Sequence, residues 1–226
     1  EVLKSNFNTY ELILVNDKSL DDSWSIITNL CKSYSWIKAI GLRKNVGQHN
    51  AILAGLKYTE GEAIITMDDD GQNSPKYIVE LCAEINKGRD VCYANYLIKK
   101  HHFLRILGSK INNFFVTLLF NKPLNLYLTS FRCITHEIKD EIIKNKSPSI
   151  YLDGLILSIT RNISKISVIH NDRKLGKSNY SFIKLLNLWM QMATGFSVAP
   201  LRLASILGFV FSITGFMMSL WLVFFT

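Results

Sequence analysis

The sequence lacks the short motifs that mark the commonest cofactor proteins. None of its four cysteines, Cys31, Cys82, Cys92 and Cys133, stands in a C-x-x-C pair. Set in apolar surroundings, they read as reduced core residues. Neither G-x-G-x-x-G nor G-x-x-x-x-G-K-[ST] occurs, which argues against dinucleotide-binding and P-loop proteins. There is no internal repeat, low-complexity tract or long linker, so the 226 residues make one or two domains: one α/β core and an appendage. Acid is in deficit as well. Against 26 Lys and Arg stand 18 Asp and Glu, a formal charge of +8, a balance compatible with nucleic acid, acidic lipid or a phosphorylated substrate.

The placement of charge decides among these. Lys99, Lys100, Arg105 and Lys110 cluster with His101 and His102, while Arg173, Lys174, Lys177, Lys184 and Arg202 precede a charge-free run from Leu203 to Phe225. At the helical rise that run extends roughly 35 Å, against about 30 Å of bilayer hydrocarbon. It predicts a transmembrane helix, with everything before residue 203 cytoplasmic and the basic segments facing anionic headgroups rather than nucleic acid. Residues Ser181 to Val198 carry Lys184 as their one charge among many apolar side chains. They predict an interfacial helix in the headgroup region, the alternative being a plain core helix.

Ahead of these segments, apolar runs alternate with helical stretches. Strands are expected at Tyr10–Val15, Trp36–Leu42, Ala63–Met67, Asp90–Tyr96, Ser130–Thr135 and Lys165–His170. Helices are expected at Asp22–Tyr34, Gly47–Tyr58, Pro75–Lys87, Phe103–Leu119, Glu137–Lys144 and Tyr151–Thr160, after a short helical end at Glu1–Ser5. Such alternation predicts a mostly parallel sheet with crossover helices.

The chemistry concentrates where the run Ile64-Ile65-Thr66-Met67 stops in Asp68-Asp69-Asp70-Gly71-Gln72-Asn73-Ser74-Pro75. Side chains on an extended segment alternate faces, so Asp68 and Asp70 point together and Asp69 away. Two hard oxygen ligands at the carboxyl end of a strand suit Mg²⁺ or Mn²⁺ completed by substrate phosphates. The competing explanation is a solvated acidic turn before the helix that opens at Pro75. Asn45-Val46-Gly47 starts a helix in which Gly47, Ala51 and Gly55 share a face. That pattern serves close packing on the sheet, or a helix N-terminus offered to a phosphate.

Taken in order, Val15-Asn16-Asp17-Lys18-Ser19, Asn45-Val46-Gly47, Met67 to Gln72, Ser130-Phe131-Arg132 and Arg173 to Tyr180, followed by Pro200-Leu201-Arg202 and a span, resemble a family 2 glycosyltransferase. The resemblance is closest to the polyprenyl-phosphate group, which includes dolichyl-phosphate mannose synthase and bactoprenol glucosyltransferases. It implies a GT-A fold over residues 1–180, an interfacial helix at 181–200 and a transmembrane helix at 201–226. It also implies a metal on Asp68 and Asp70, and a donor site drawing on Asp17, Asn45, Gly47, Asp68, Gln72, Arg173 and Lys177. Arg173 and Lys177 are matched to the phosphates of the donor, the alternative being contact with lipid headgroups alone. Arg132 and Asp70 are the matched catalytic residues. Asp153 is the remaining candidate for a general base, with a helix-cap role as its alternative.

Three departures stand out. Asn16 and Lys18 replace the usual Asp and Gly of the base-binding turn. The segment Leu126 to Arg132 lacks the acid that many members carry before the Phe-Arg pair. The family's first strand is absent and one span is present where two are common, so the chain is expected to be part of a longer protein. The implied reaction is inverting transfer of a hexose from a nucleotide diphosphate sugar to a polyprenyl phosphate at the cytoplasmic membrane. Transfer to a growing polysaccharide and a noncatalytic membrane scaffold are the rivals, and a homo-oligomer is left open.

Overall fold

The computed structural model describes residues 1–96, 126–145, 150–169 and 199–225. The predicted helix at 103–119, the predicted interfacial helix, Arg173 and Lys177 lie outside them. The chain divides into two units, Glu1–Ser178 and Asn179–Thr226.

In the first unit α1 (Val2–Asn6) precedes β1 (Leu12–Asn16), α2 (Ser23–Ser33), β2 (Ile37–Gly41) and α3 (Gln48–Leu56). β1 and β2 pair in parallel, Leu12 opposite Ile37 and Asn16 opposite Gly41, as expected for strands joined by a crossover helix. The small-residue face of α3 has a packing role: a Cβ at Gly55 would stand 3.1 Å from Val15 Cγ2. An alanine there would press the helix off β1.

The remaining elements are β3 (Ala63–Thr66), a 3₁₀ turn at Pro75–Tyr77, α4 (Ile78–Asn86), β4 (Val91–Tyr96), β5 (Arg132–Thr135), α5 (His136–Ile143), α6 (Leu152–Ile159) and β6 (Ile163–Val168). Their sheet has the order β3-β5-β4-β6. Strand direction requires a correction: β4 and β6 are parallel, but β5 runs antiparallel to both β3 and β4. Alternation sets direction only while each helix carries the chain back to the same edge. The long stretch between Tyr96 and Arg132 lets the chain re-enter from the other end. The four-stranded sheet is therefore mixed, and the two-stranded sheet is parallel.

The core sits around β4. Val91, Cys92, Tyr93 and Ala94 are fully buried, and Leu81, Cys82, Phe131, Cys133 and Val168 close over them. Cys82, Cys92 and Cys133 are free thiols inside this core, as their apolar setting predicts, whereas Cys31, expected with them, is a free thiol on α2 that is only partly buried.

The second unit contains α7 (Ala199–Phe225). Its stretch from Ser205 to Phe224 is by length and composition able to cross a membrane, and none of it is buried. The predicted span at Leu203 to Phe225 falls within this helix.

Candidate active site

β3 ends at Thr66, and the chain bends from Asp69 to Gly71 within the acidic loop. Exposure still alternates: Met67 and Asp69 are exposed, Asp68 and Asp70 partly buried. Gly71 follows with φ +76°, a left-handed turn that a side chain would strain. It brings the Gln72 N–H back to donate to Asp70 Oδ1 at 3.0 Å. Asp68 is held by side chains instead. Gln48 Nε2 donates to Oδ1 at 2.6 Å and Ser130 Oγ to Oδ2 at 2.5 Å. Burial raises the Asp68 pKa, the Ser130 hydrogen bond opposes the shift, and repulsion from Asp70 and Asp69 adds to it. Tyr96 lies beside the same carboxylates and donates to Asn73 Oδ1 at 2.7 Å. Burial first, then Asp68 and Asp70, push its phenol up to about 12.

Asp17, matched by resemblance to donor binding, is engaged within the protein. Its two oxygens accept the backbone N–H groups of Val46 and Gly47, each at 2.8 Å, and Asn45 Nδ2 donates to its carbonyl at 3.1 Å. These bonds tie the β1–α2 turn to the start of α3 and occupy N–H groups that the sequence offered to a phosphate. Asn16 Oδ1 accepts the Ser19 N–H at 2.9 Å, while its Nδ2 is buried without a partner among the described residues.

Beneath Asp68 runs a polar chain that crosses four elements. Ser130 O accepts from Thr66 Oγ1 at 2.6 Å, and Thr66 Oγ1 accepts from Arg132 Nε at 3.2 Å. The Arg132 guanidinium pairs with Asp153, to which the Tyr93 hydroxyl also donates at 2.9 Å. Arg132 is 1% exposed and Asp153 7%, so two of the three catalytic candidates are core residues facing each other. Burial opposes the Arg132 charge, but Asp153 and Tyr93 outweigh it and raise its pKa. The Tyr93 phenol is raised by burial and by Asp153. His49, on the first turn of α3, stacks edge-on against Tyr151 with centroids 5.3 Å apart. Its Nδ1 is sealed from water without a partner among the described residues. Burial lowers its pKa, Asp153 pulling the other way and Arg132 adding to the fall.

Among the described residues no group of three or more His, Cys, Asp or Glu is placed to hold a metal. Asp68 and Asp70 nonetheless fit a Mg²⁺ or Mn²⁺ that takes one or two carboxylates and completes its shell from phosphate and water. Their mutual repulsion is what a divalent cation would relieve. Gln48, Ser130, Thr66, Tyr93, Tyr96 and His49 were not among the residues read from sequence as functional. Gln48 directly follows Asn45-Val46-Gly47, and Ser130 directly precedes Phe131-Arg132, so the motifs pointed to their neighbourhood.

The description "Glycosyl transferase family 2" matches residues 1–142. An undecaprenyl-phosphate 4-deoxy-4-formamido-L-arabinose transferase of Proteus mirabilis is 34% identical over 215 residues, covering 95% of this chain and 66% of that protein. The protein of the same name from Photorhabdus laumondii is 35% identical, over 93% of this chain and 65% of its own length. The chain thus spans about two thirds of the length of these relatives. Among solved structures, Mycobacterium tuberculosis glucosyl-3-phosphoglycerate synthase superposes with a TM-score of 0.58 at 14% identity, over 82% of this chain and 69% of that one. A complex of that synthase with Mn²⁺, UDP-glucose and phosphoglyceric acid gives 0.58 at 13% identity, covering 85% and 71%. At such identity the likeness shows the fold alone, which is of GT-A type.

Proposed function

We propose, from the premise that the chain belongs to glycosyl transferase family 2, that it transfers a hexose with inversion from a nucleotide diphosphate sugar to a polyprenyl phosphate. The observation that carries this is the pair Asp68 and Asp70 at the carboxyl end of β3, where open α/β sheets bind their ligands. The relatives named for undecaprenyl phosphate support the acceptor. Asp68 and Asp70 would hold the divalent cation, which supplies positive charge to the leaving diphosphate. Asp69, turned to solvent, is outside this role. Arg173 and Lys177 are assigned to the phosphates on their sequence positions alone.

Asp153 bears on the choice of acceptor. A sugar hydroxyl needs a general base, and the carboxylate nominated for that task is buried against Arg132 and Tyr93. A phosphate monoester is already largely ionised at neutral pH, so an Asp153 committed to the core favours the lipid phosphate over a polysaccharide. Asp153 then acts by fixing Arg132, which in turn steadies Thr66 at the root of the acidic loop. Residues 1–180 would form the catalytic domain at the cytoplasmic face, 181–200 an interfacial helix and 201–226 the anchor.

The test is transfer by the detergent-solubilised chain to a short polyprenyl phosphate, with Mn²⁺ or Mg²⁺ and a panel of nucleotide sugars that includes hexoses and arabinose derivatives. A lipid-linked sugar of inverted anomeric configuration, lost on chelation, is the expected product. An arabinose derivative as the preferred donor would replace the hexose. Transfer to polysaccharide with none to the lipid would overturn the acceptor.

A further inference from the structure

Asp68 is gripped from two directions. Ser130, just before β5, donates through Oγ to Oδ2 at 2.5 Å, and Gln48, the first residue of α3, donates through Nε2 to Oδ1 at 2.6 Å. Asp70 accepts instead from the backbone of its own loop, Gln72. Asp68 is therefore oriented from two elements distant from it in sequence. Each carboxylate oxygen accepts at about two positions. A single donor on each fixes the plane of the Asp68 carboxylate and leaves a lone-pair direction on each oxygen for another partner.

Resting on Asp68 as a cation ligand, we propose that Ser130 and Gln48 are positioning residues that hold its carboxylate in the orientation the divalent cation requires. Ser130 carries the larger share. Its hydroxyl bond is partly buried, whereas the Gln48 bond is exposed and competes with water. The Ser130 hydroxyl is also separable from the Ser130 backbone. The carbonyl accepts from Thr66 Oγ1 at 2.6 Å and contributes to the polar chain under the loop; the hydroxyl serves Asp68. Removing the hydroxyl leaves the carbonyl in place. The consequence is that cation affinity depends on two segments that contribute no ligand themselves, the start of α3 and the entry to β5. Each also adjoins a motif matched to substrate: Asn45-Val46-Gly47 on one side and Phe131-Arg132 on the other.

The experiment is Mn²⁺ uptake by the full chain in detergent, with Mn²⁺ alone as the probe and the free ion counted by electron paramagnetic resonance. Wild type should take up Mn²⁺ and Asp68→Asn should not. Ser130→Ala should weaken uptake about tenfold, as for other outer-shell partners of metal ligands, with an unchanged melting temperature. Ser130→Thr, which keeps the hydroxyl, should restore affinity to within about twofold of wild type, and Gln48→Met should weaken it roughly two- to threefold. Wild-type affinity in Ser130→Ala, or Ser130→Thr as weak as the alanine variant, overturns the clamp while leaving Asp68 as ligand. Undiminished uptake by Asp68→Asn, or none by wild type, overturns the cation reading beneath it.

Discussion

The loops after β1 and β3 look alike in sequence: each is an apolar strand ending in acid, and each carries a motif of the same family. In the folded chain they differ. Asp17 gives both oxygens to the backbone N–H groups of Val46 and Gly47, so its charge is absorbed in joining one turn to one helix. Asp68 accepts from two side chains, and burial first, then repulsion from Asp70 and Asp69, raises its pKa. A carboxylate bound to backbone amides has found its folding partner. One held by rotatable side chains next to like charge is strained toward a partner still to come. The support beneath the loops differs too, because Thr66 ties only the second one to the buried Arg132–Asp153 pair.

The largest effect should come from cutting that support. Asp153→Ala leaves the Arg132 charge buried and alone, at a cost of about 3–5 kcal/mol in stability, read by chemical denaturation. The double replacement Arg132→Met with Asp153→Leu should recover most of that loss, since apolar pairs commonly substitute for buried ion pairs. If the double variant is no more stable than the single, the pair is more than a packing unit.

Exchanging the two loop acids for amides sharpens the contrast next. Asp68→Asn should lower transfer by about 10²–10³-fold with little change in melting. Asp17→Asn should do the reverse: a loss of about 1.5–3 kcal/mol for each charge-assisted bond weakened, with Mn²⁺ uptake unchanged in the protein that stays folded. Equal effects on stability and uptake from both variants would erase the distinction between the loops.

How much of each loop could be read in advance follows from what a linear pattern carries. Strand and helix positions follow from local apolar period, and β1, β3 and β4 fall where Leu12-Ile13-Leu14-Val15, Ile64-Ile65 and Val91-Cys92-Tyr93 direct them. The Asp68/Asp70 alternation is equally local. The destination of Asp17 is not, since its partners Val46 and Gly47 arrive only once α3 is seated on β1 through Gly55. The antiparallel entry of β5 and the meeting of Tyr93, Arg132 and Asp153 likewise depend on a path through space. Arg132 and Asp153 were legible one by one as catalytic candidates, but their pairing in the core was not.

The smallest effect tests how far the polar chain under Asp68 reaches. His49 is packed against Tyr151, near Asp153 and Arg132, and burial lowers its pKa from the ordinary 6.5. Above that value both folded and unfolded states are neutral at this residue, and it contributes no pH dependence. Below it the unfolded chain takes up a proton that the folded one refuses. Stability must then fall as pH drops from 6.5 toward the lowered folded value, with a slope bounded by about 1.4 kcal/mol per pH unit. His49→Phe keeps an aromatic ring against Tyr151 and removes the titration. Urea unfolding at pH 7.5 and 5.5 should therefore show a smaller acid loss for the variant than for wild type. Equal losses would mean that His49 is protonated as readily in the folded chain as in the unfolded one, and that the Asp153 charge, rather than burial and Arg132, governs this end of the network.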